Sequence, residues 1–99
     1  MNNINEIRRL SAIMFTDIVG YSAVMNKNES AAINLIDNHT KITKPIIEQF
    51  NGKILKPQGD GFMIEFSSVV DAVRCAQSMQ IELLSYNSEK DEDEIIRLR

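Results

Sequence analysis

The sequence predicts a single α+β domain, an antiparallel sheet with helices on one face. Three observations predict it. Apolar residues run or alternate as in strands, then recur at three- and four-residue intervals as in helices, and this switch happens twice. Gly59-Asp60-Gly61 separates two short strand-like segments, a strong hairpin signal. The resulting order is strand, helix, strand, strand, helix and the start of a strand, a βαββαβ arrangement. The chain has 99 residues, enough for one small domain. Its 43% hydrophobic and 25% charged residues exclude a disordered chain.

Residues 1–8 are expected to form a polar tail. Met1-Asn2-Asn3-Ile4-Asn5-Glu6 carries an acid and no apolar core, so it is not a secretory signal. The domain is expected over 9–99. Its first strand should run from Leu10 to Ile18, because Ala12-Ile13-Met14-Phe15 is a nearly unbroken apolar run. Gly20 ends that run, and Asp17 to Ser22 should be a tight loop. A helix is expected from Asn28-Glu29-Ser30, with Ala32, Leu35, His39, Ile42, Ile46 and Phe50 on one stripe. Pro45 should kink it or split it in two, and Asn51-Gly52 stops it.

Two strands are expected next, Lys53–Gln58 and Phe62–Phe66. In the second, Phe62, Ile64 and Phe66 alternate with Met63 and Glu65. Ser67 or Ser68 should cap the following helix. Its buried stripe is expected to be Val69, Ala72, Val73, Ala76, Met79, Gln80 and Leu83, with fraying near Tyr86-Asn87-Ser88. Glu89 to Glu94 is a charged connector. Ile95 to Arg99 then begins another strand and is cut off. This order is the split βαβ, or ferredoxin-like, plan, with both helices on one face of the sheet.

In that plan the first strand is central and lies beside the hairpin. Asp17, at the end of the strand, and Asp60, at the hairpin tip, can then project from one edge of the sheet. Two converging carboxylates suit a hard divalent cation, which shares its oxygen ligands with substrate phosphates. Turn chemistry explains each acid equally well when taken alone. Ile18-Val19-Gly20-Tyr21 can offer backbone N–H groups to phosphate ahead of a helix, although one glycine is far from a P-loop. Lys53 and Lys56 read as solvated residues of an edge strand. His39 reads as a packing residue on the helix stripe. Cys75, the single cysteine, reads as a small apolar helix residue, and no internal disulfide is possible.

Two segments together resemble a known family. Ala12-Ile13-Met14-Phe15-Thr16-Asp17-Ile18-Val19-Gly20-Tyr21-Ser22 resembles the first strand and metal loop of class III adenylate and guanylate cyclases. Lys56-Pro57-Gln58-Gly59-Asp60-Gly61-Phe62 resembles their hairpin motif, and Ser67 to Gln80 the helix after it. The resemblance implies a nucleotidyl cyclase fold, present here in its N-terminal part. It implies that Asp17 and Asp60 bind two Mg²⁺ or Mn²⁺ ions and that the Ile18 carbonyl is a further metal ligand. It implies that the backbone of Val19, Gly20, Tyr21 and Ser22 holds a triphosphate.

The family's residue four before the second Asp is usually Lys in adenylate cyclases and Glu in guanylate cyclases. Lys56 therefore implies ATP, although Pro57-Gln58 replaces the more usual Thr-Ile. The implied reaction is attack of the ATP 3′-hydroxyl on the α-phosphorus, giving cyclic AMP and pyrophosphate for intracellular signalling. The family's site forms between two domains, so a homodimer or a second cyclase domain is implied. The family's ribose-orienting Asn and transition-state Arg follow position 99, and Arg97 and Arg99 lie too early for that Arg. The 99 residues alone are thus expected to be inactive or nearly so. The alternative is a cyclase-like module that binds nucleotide or dimerises without catalysis.

A net charge of −3 gives no general attraction to nucleic acid or to anionic membrane. No apolar stretch approaches the ~20 residues needed to span a bilayer. A cytoplasmic location, or the cytoplasmic side of a membrane-attached parent, is expected.

Overall fold

The computed structural model describes residues 11–99, apart from the side chains of Gln58 and Asp93. The expected tail over 1–8 and Leu10 lie outside the described residues. The elements are β1 (Ala12–Asp17), α1 (Tyr21–Lys27), α2 (Glu29–Gln49), β2 (Lys53–Gln58), β3 (Gly61–Phe66) and α3 (Val69–Asn87). The three strands form one antiparallel sheet in the order β1-β3-β2.

The last residues return to the free side of β1. Ile18 bridges Leu98 in the antiparallel sense. The Asp17 N–H donates to the Arg99 carbonyl at 2.8 Å, and the Arg99 N–H donates back to the Asp17 carbonyl at 3.0 Å. The Val19 N–H donates to the Arg97 carbonyl at 2.7 Å. At its C-terminal end β1 therefore has neighbours on both sides, β3 and the returning segment, in the sense of the ferredoxin-like plan, although that segment makes a bridge and not the regular strand expected over 95–99. Asn87 holds that segment: its amide accepts from the Ile96 N–H at 2.9 Å and donates to the Ile96 carbonyl at 2.8 Å. Gln80 donates to the Leu98 carbonyl at 2.9 Å.

One sheet face is covered. Phe62, Ile64 and Phe66 alternate on β3 and are buried with Ile46 and Ile47 of α2 and with Ala72, Cys75 and Met79 of α3. Each such large side chain contributes roughly 1.5–3 kcal/mol on leaving water. Ile18, Leu35, Leu83 and Ile96 form a second cluster. The period of two sends Ile13, Phe15 and Asp17 to the opposite, uncovered face. Ile13 is 44% and Phe15 61% exposed there.

Three expectations are corrected. The segment after Gly20 is not only a loop, because Tyr21–Lys27 forms α1. Gly20, at φ 78°, turns the chain into that helix in a region that disfavours a side chain. Asn28 separates α1 from α2 with extended backbone, and its side chain caps α2 by accepting from the Ala31 N–H. Seven residues carry too few apolar positions for α1 to show as a stripe.

Second, of the two outcomes expected at Pro45, a kink or a split, the split does not occur: α2 is one helix of 21 residues. Proline removes one N–H, the partner of the Lys41 carbonyl, and Lys41 is exposed, so water can serve that carbonyl. Buried Thr43 and Ile47 join the expected stripe, while Ile42 and Phe50 are half-buried.

Third, the buried line of α3 is Ala72, Cys75, Met79 and Leu83, capped by Ser68. Val69 and Val73 are 67% and 53% exposed, and Gln80 is exposed as well. The helix lies with its small residues against the sheet, where close approach decides, and its valines turned outward. Within the charged connector, Glu92–Glu94 makes a single 3-10 turn. No helix among the described residues is long and apolar enough to cross a membrane.

Candidate active site

Asp17 ends β1 and Asp60 sits at the tip of the β2–β3 hairpin. The register pairs Asp17 with Gly61 and Thr16 with Phe62. The Ile18 N–H donates to the Asp60 carbonyl at 3.2 Å. The two acids therefore come from neighbouring strands at one end of the sheet. They line one cleft of about 490 Å³ with Phe15, Thr16 and Arg99.

Arg99 is the residue that sequence reasoning set aside. Its Nε donates to Asp17 Oδ1 at 2.8 Å. The pair is solvent-exposed and contributes about 0–1 kcal/mol. Its interest is chemical. The Arg99 guanidinium stands against the Asp17 carboxylate at the wall of the cleft. The only signal available in the sequence was the basic residue at the end of the returning segment.

The Asp17 and Asp60 residues line the cleft, and the Ile18 carbonyl, in the next residue along the chain from Asp17, accepts from the Tyr21 N–H at 3.3 Å. Among the described residues no group of three or more His, Cys, Asp or Glu side chains gathers as a self-sufficient cage. Two carboxylates and a carbonyl fit Mg²⁺ or Mn²⁺, which keep positions open for phosphate or water. They do not fit a tightly held structural metal.

The loop beside the cleft is partly committed. The N–H groups of Val19 and Tyr21 serve the Arg97 and Ile18 carbonyls. Lys56 is exposed on edge strand β2. A register irregularity between Ile54 and Lys56 places Lys56 opposite Met63, which itself pairs with Phe15. Lys56 thus shares the uncovered face with Phe15 and Asp17. Simple alternation from buried-side Ile54 would have turned it toward the helices.

His39 lies below the cleft. It is 1% exposed and stacks on Phe62, with ring centroids 5.1 Å apart. Neither ring nitrogen has a hydrogen-bond partner. Burial lowers its pKa from the ordinary 6.5, opposed by the nearby Asp60 charge and by the Ile36 carbonyl, whose geometry falls short of a hydrogen bond. The unfolded chain therefore takes up a proton more readily than the fold does. Stability is full above pH 6.5 and falls as pH drops toward the lowered folded value, by up to about 1.4 kcal/mol per unit. Urea midpoints between pH 7.5 and 5 should show this loss, and His39→Leu should flatten it. Cys75 is fully buried, and burial pushes its thiol up to about 11, so it is no nucleophile at neutral pH.

Comparison with known proteins gives this geometry a context. Residues 5–99 match the family model described as the adenylate and guanylate cyclase catalytic domain. The chain is 38% identical over 93 residues to "Putative adenylate cyclase 3" of Rhizobium meliloti (strain 1021), matching 93% of this chain and 16% of that protein. Among solved structures, an adenylate/guanylate cyclase/hydrolase from Silicibacter pomeroyi is 27% identical with a TM-score of 0.74. That match covers 91% of this chain and 56% of that one. A bacterial light-regulated adenylyl cyclase, 20% identical, shares the fold with a TM-score of 0.78 over 89% of this chain and 49% of its own. This chain thus spans about half of those solved chains and a sixth of the curated relative. With the sheet order, the hairpin and the paired acids already in place, the chain belongs to the adenylate and guanylate cyclase catalytic domain family.

Proposed function

We propose that this chain is the cation- and triphosphate-holding part of an adenylate cyclase that converts ATP to cyclic AMP and pyrophosphate. The observation that carries the reading is that Asp17 and Asp60 line one cleft. Asp17, Asp60 and the Ile18 carbonyl would hold two Mg²⁺ or Mn²⁺ ions. When bound, such ions make the 3′-hydroxyl more acidic and stabilise charge on the phosphates.

The chain's own residues supply the rest. Arg99 would release Asp17 as cations enter, and its guanidinium, on the cleft wall, would turn to phosphate oxygens. Val19 to Ser22 would cradle the triphosphate. With the Val19 and Tyr21 N–H groups engaged, Gly20 and Ser22 are the donors this cradle rests on. Holding the 3′-hydroxyl in line with the α-phosphorus and excluding water would contribute much of the rate enhancement.

Lys56 would read the adenine of a nucleotide bound by a second domain. The uncovered sheet face, with exposed Ile13 and Phe15 beside Asp17, offers a seat for that domain, in a homodimer or with another cyclase domain. Solved relatives are about twice this length, so turnover is proposed for a protein that holds the remaining half. The 99 residues alone would bind cations and form little or no cyclic AMP. The setting would be intracellular signalling on the cytoplasmic side.

The test compares ATP and GTP turnover by a protein carrying this segment in a whole domain. ATP should be preferred, and Lys56→Glu should move the preference toward GTP by roughly tenfold or more. Preference for GTP in the unaltered protein would overturn the substrate assignment.

A further inference from the structure

We infer that Thr16 is a positioning residue whose buried hydroxyl sets the spacing of the Asp17 and Asp60 carboxylates, an inference that rests on the cation-site reading above. Thr16 is 8% exposed and occupies the covered face of β1 between Met14 and Ile18. Packing alone would be served by valine, which has the same shape. A hydroxyl buried here costs stability unless it is paired. It is paired: Thr16 Oγ1 accepts from the Phe62 N–H at 3.1 Å, a buried bond between residues far apart in sequence.

The location of that bond gives it its effect. Asp17 directs both of its backbone groups away from the hairpin, toward Arg99. Its tie to the Asp60 strand therefore comes from its neighbours. On one side the Ile18 N–H reaches the Asp60 carbonyl at 3.2 Å. On the other, the Thr16 hydroxyl fixes the N–H of Phe62, two residues beyond Asp60. Phe62 is also held through its ring, which stacks on buried His39. The hydroxyl thus adds a side-chain bond to the strand pairing of Thr16 with Phe62, and so stiffens the link on the far side of the Asp17–Gly61 pair. Groups that orient metal ligands from behind typically alter metal affinity by roughly 10–100-fold when lost.

The experiment titrates the 99-residue chain with Mn²⁺ alone. Free Mn²⁺ is read by electron paramagnetic resonance, and the site is located by paramagnetic broadening of the amides near Asp17 and Asp60. Thr16→Val should remain folded by circular dichroism and bind Mn²⁺ roughly tenfold more weakly. Thr16→Ser, which keeps the acceptor, should stay within about twofold of the unaltered chain. A purely structural role would leave Mn²⁺ affinity the same in every folded variant, and equal binding by Thr16→Val would overturn the inference. If Thr16→Val does not fold, Thr16→Cys, similar in size but a weak acceptor, takes its place against Thr16→Ser under the same criteria. If the unaltered chain shows no Mn²⁺ binding that Asp17→Asn and Asp60→Asn abolish, the cation site itself is wrong and the inference falls with it. Failure of the valine variant alone to differ leaves the cation site standing.

Discussion

Asp17→Asn and Asp60→Asn should each lower cyclic AMP formation by about a hundredfold or more when this segment is assayed within a whole catalytic domain. Each substitution keeps the size and shape of the side chain and removes its charge, which is what a hard cation binds. Both acids line the same cleft, so they should act as one unit, and the double variant should be little worse than either single one. The fold should survive. The ion pair that Asp17 makes with Arg99 is exposed, and its loss costs about 1 kcal/mol or less. Turnover with Mn²⁺ and ATP, run beside a urea midpoint, separates the two effects. Retained turnover in either folded variant would remove the two carboxylates from the chemistry.

The sequence was most legible where local chemistry and tertiary structure agree. The apolar run of β1, the alternation of β3 and the glycines around Asp60 each dictate their own element, so the sheet and the placement of both acids could be anticipated. Three features were hidden for physical reasons. The buried line of α3 passes through Ala72 and Cys75, because small residues allow close approach, and a count of hydrophobicity favours Val69 and Val73. The face of Lys56 depends on an irregularity in the β2–β3 register, which inverts the period-two rule for the residues beyond it. Arg99 reaches Asp17 only through pairing between segments at opposite ends of the chain. No local pattern encodes that pairing. It becomes visible once β1 is known to have neighbours on both sides at its C-terminal end and the returning segment's register is fixed.

Gly61→Ala should be the most damaging single methyl group in the chain. A Cβ at Gly61 would lie 1.7 Å from the Thr16 carbonyl oxygen and 2.8 Å from the Asp17 Cα. Backbone atoms of a paired strand cannot swing aside as a flexible side chain would. Either β1 and β3 separate at that point or the hairpin tip rotates. Overpacking of a well-filled site costs about 1–3 kcal/mol and occasionally more, and a clash with backbone belongs at or above the top of that range. The stability of Gly61→Ala, read from urea unfolding, should therefore fall by about 3 kcal/mol or more, if the variant folds at all. Any folded population should also lose Mn²⁺ affinity, because the strand separation that admits the methyl group moves Asp17 away from Asp60. Gly20→Ala is the contrasting control. Its added Cβ meets nothing within 4 Å, and its cost comes only from φ at 78°, about 1–2 kcal/mol. If Gly61→Ala were as mild as that control, the two strands would not be packed as closely as the register of Asp17 against Gly61 requires, and the shared cleft of the two acids would lose its structural basis.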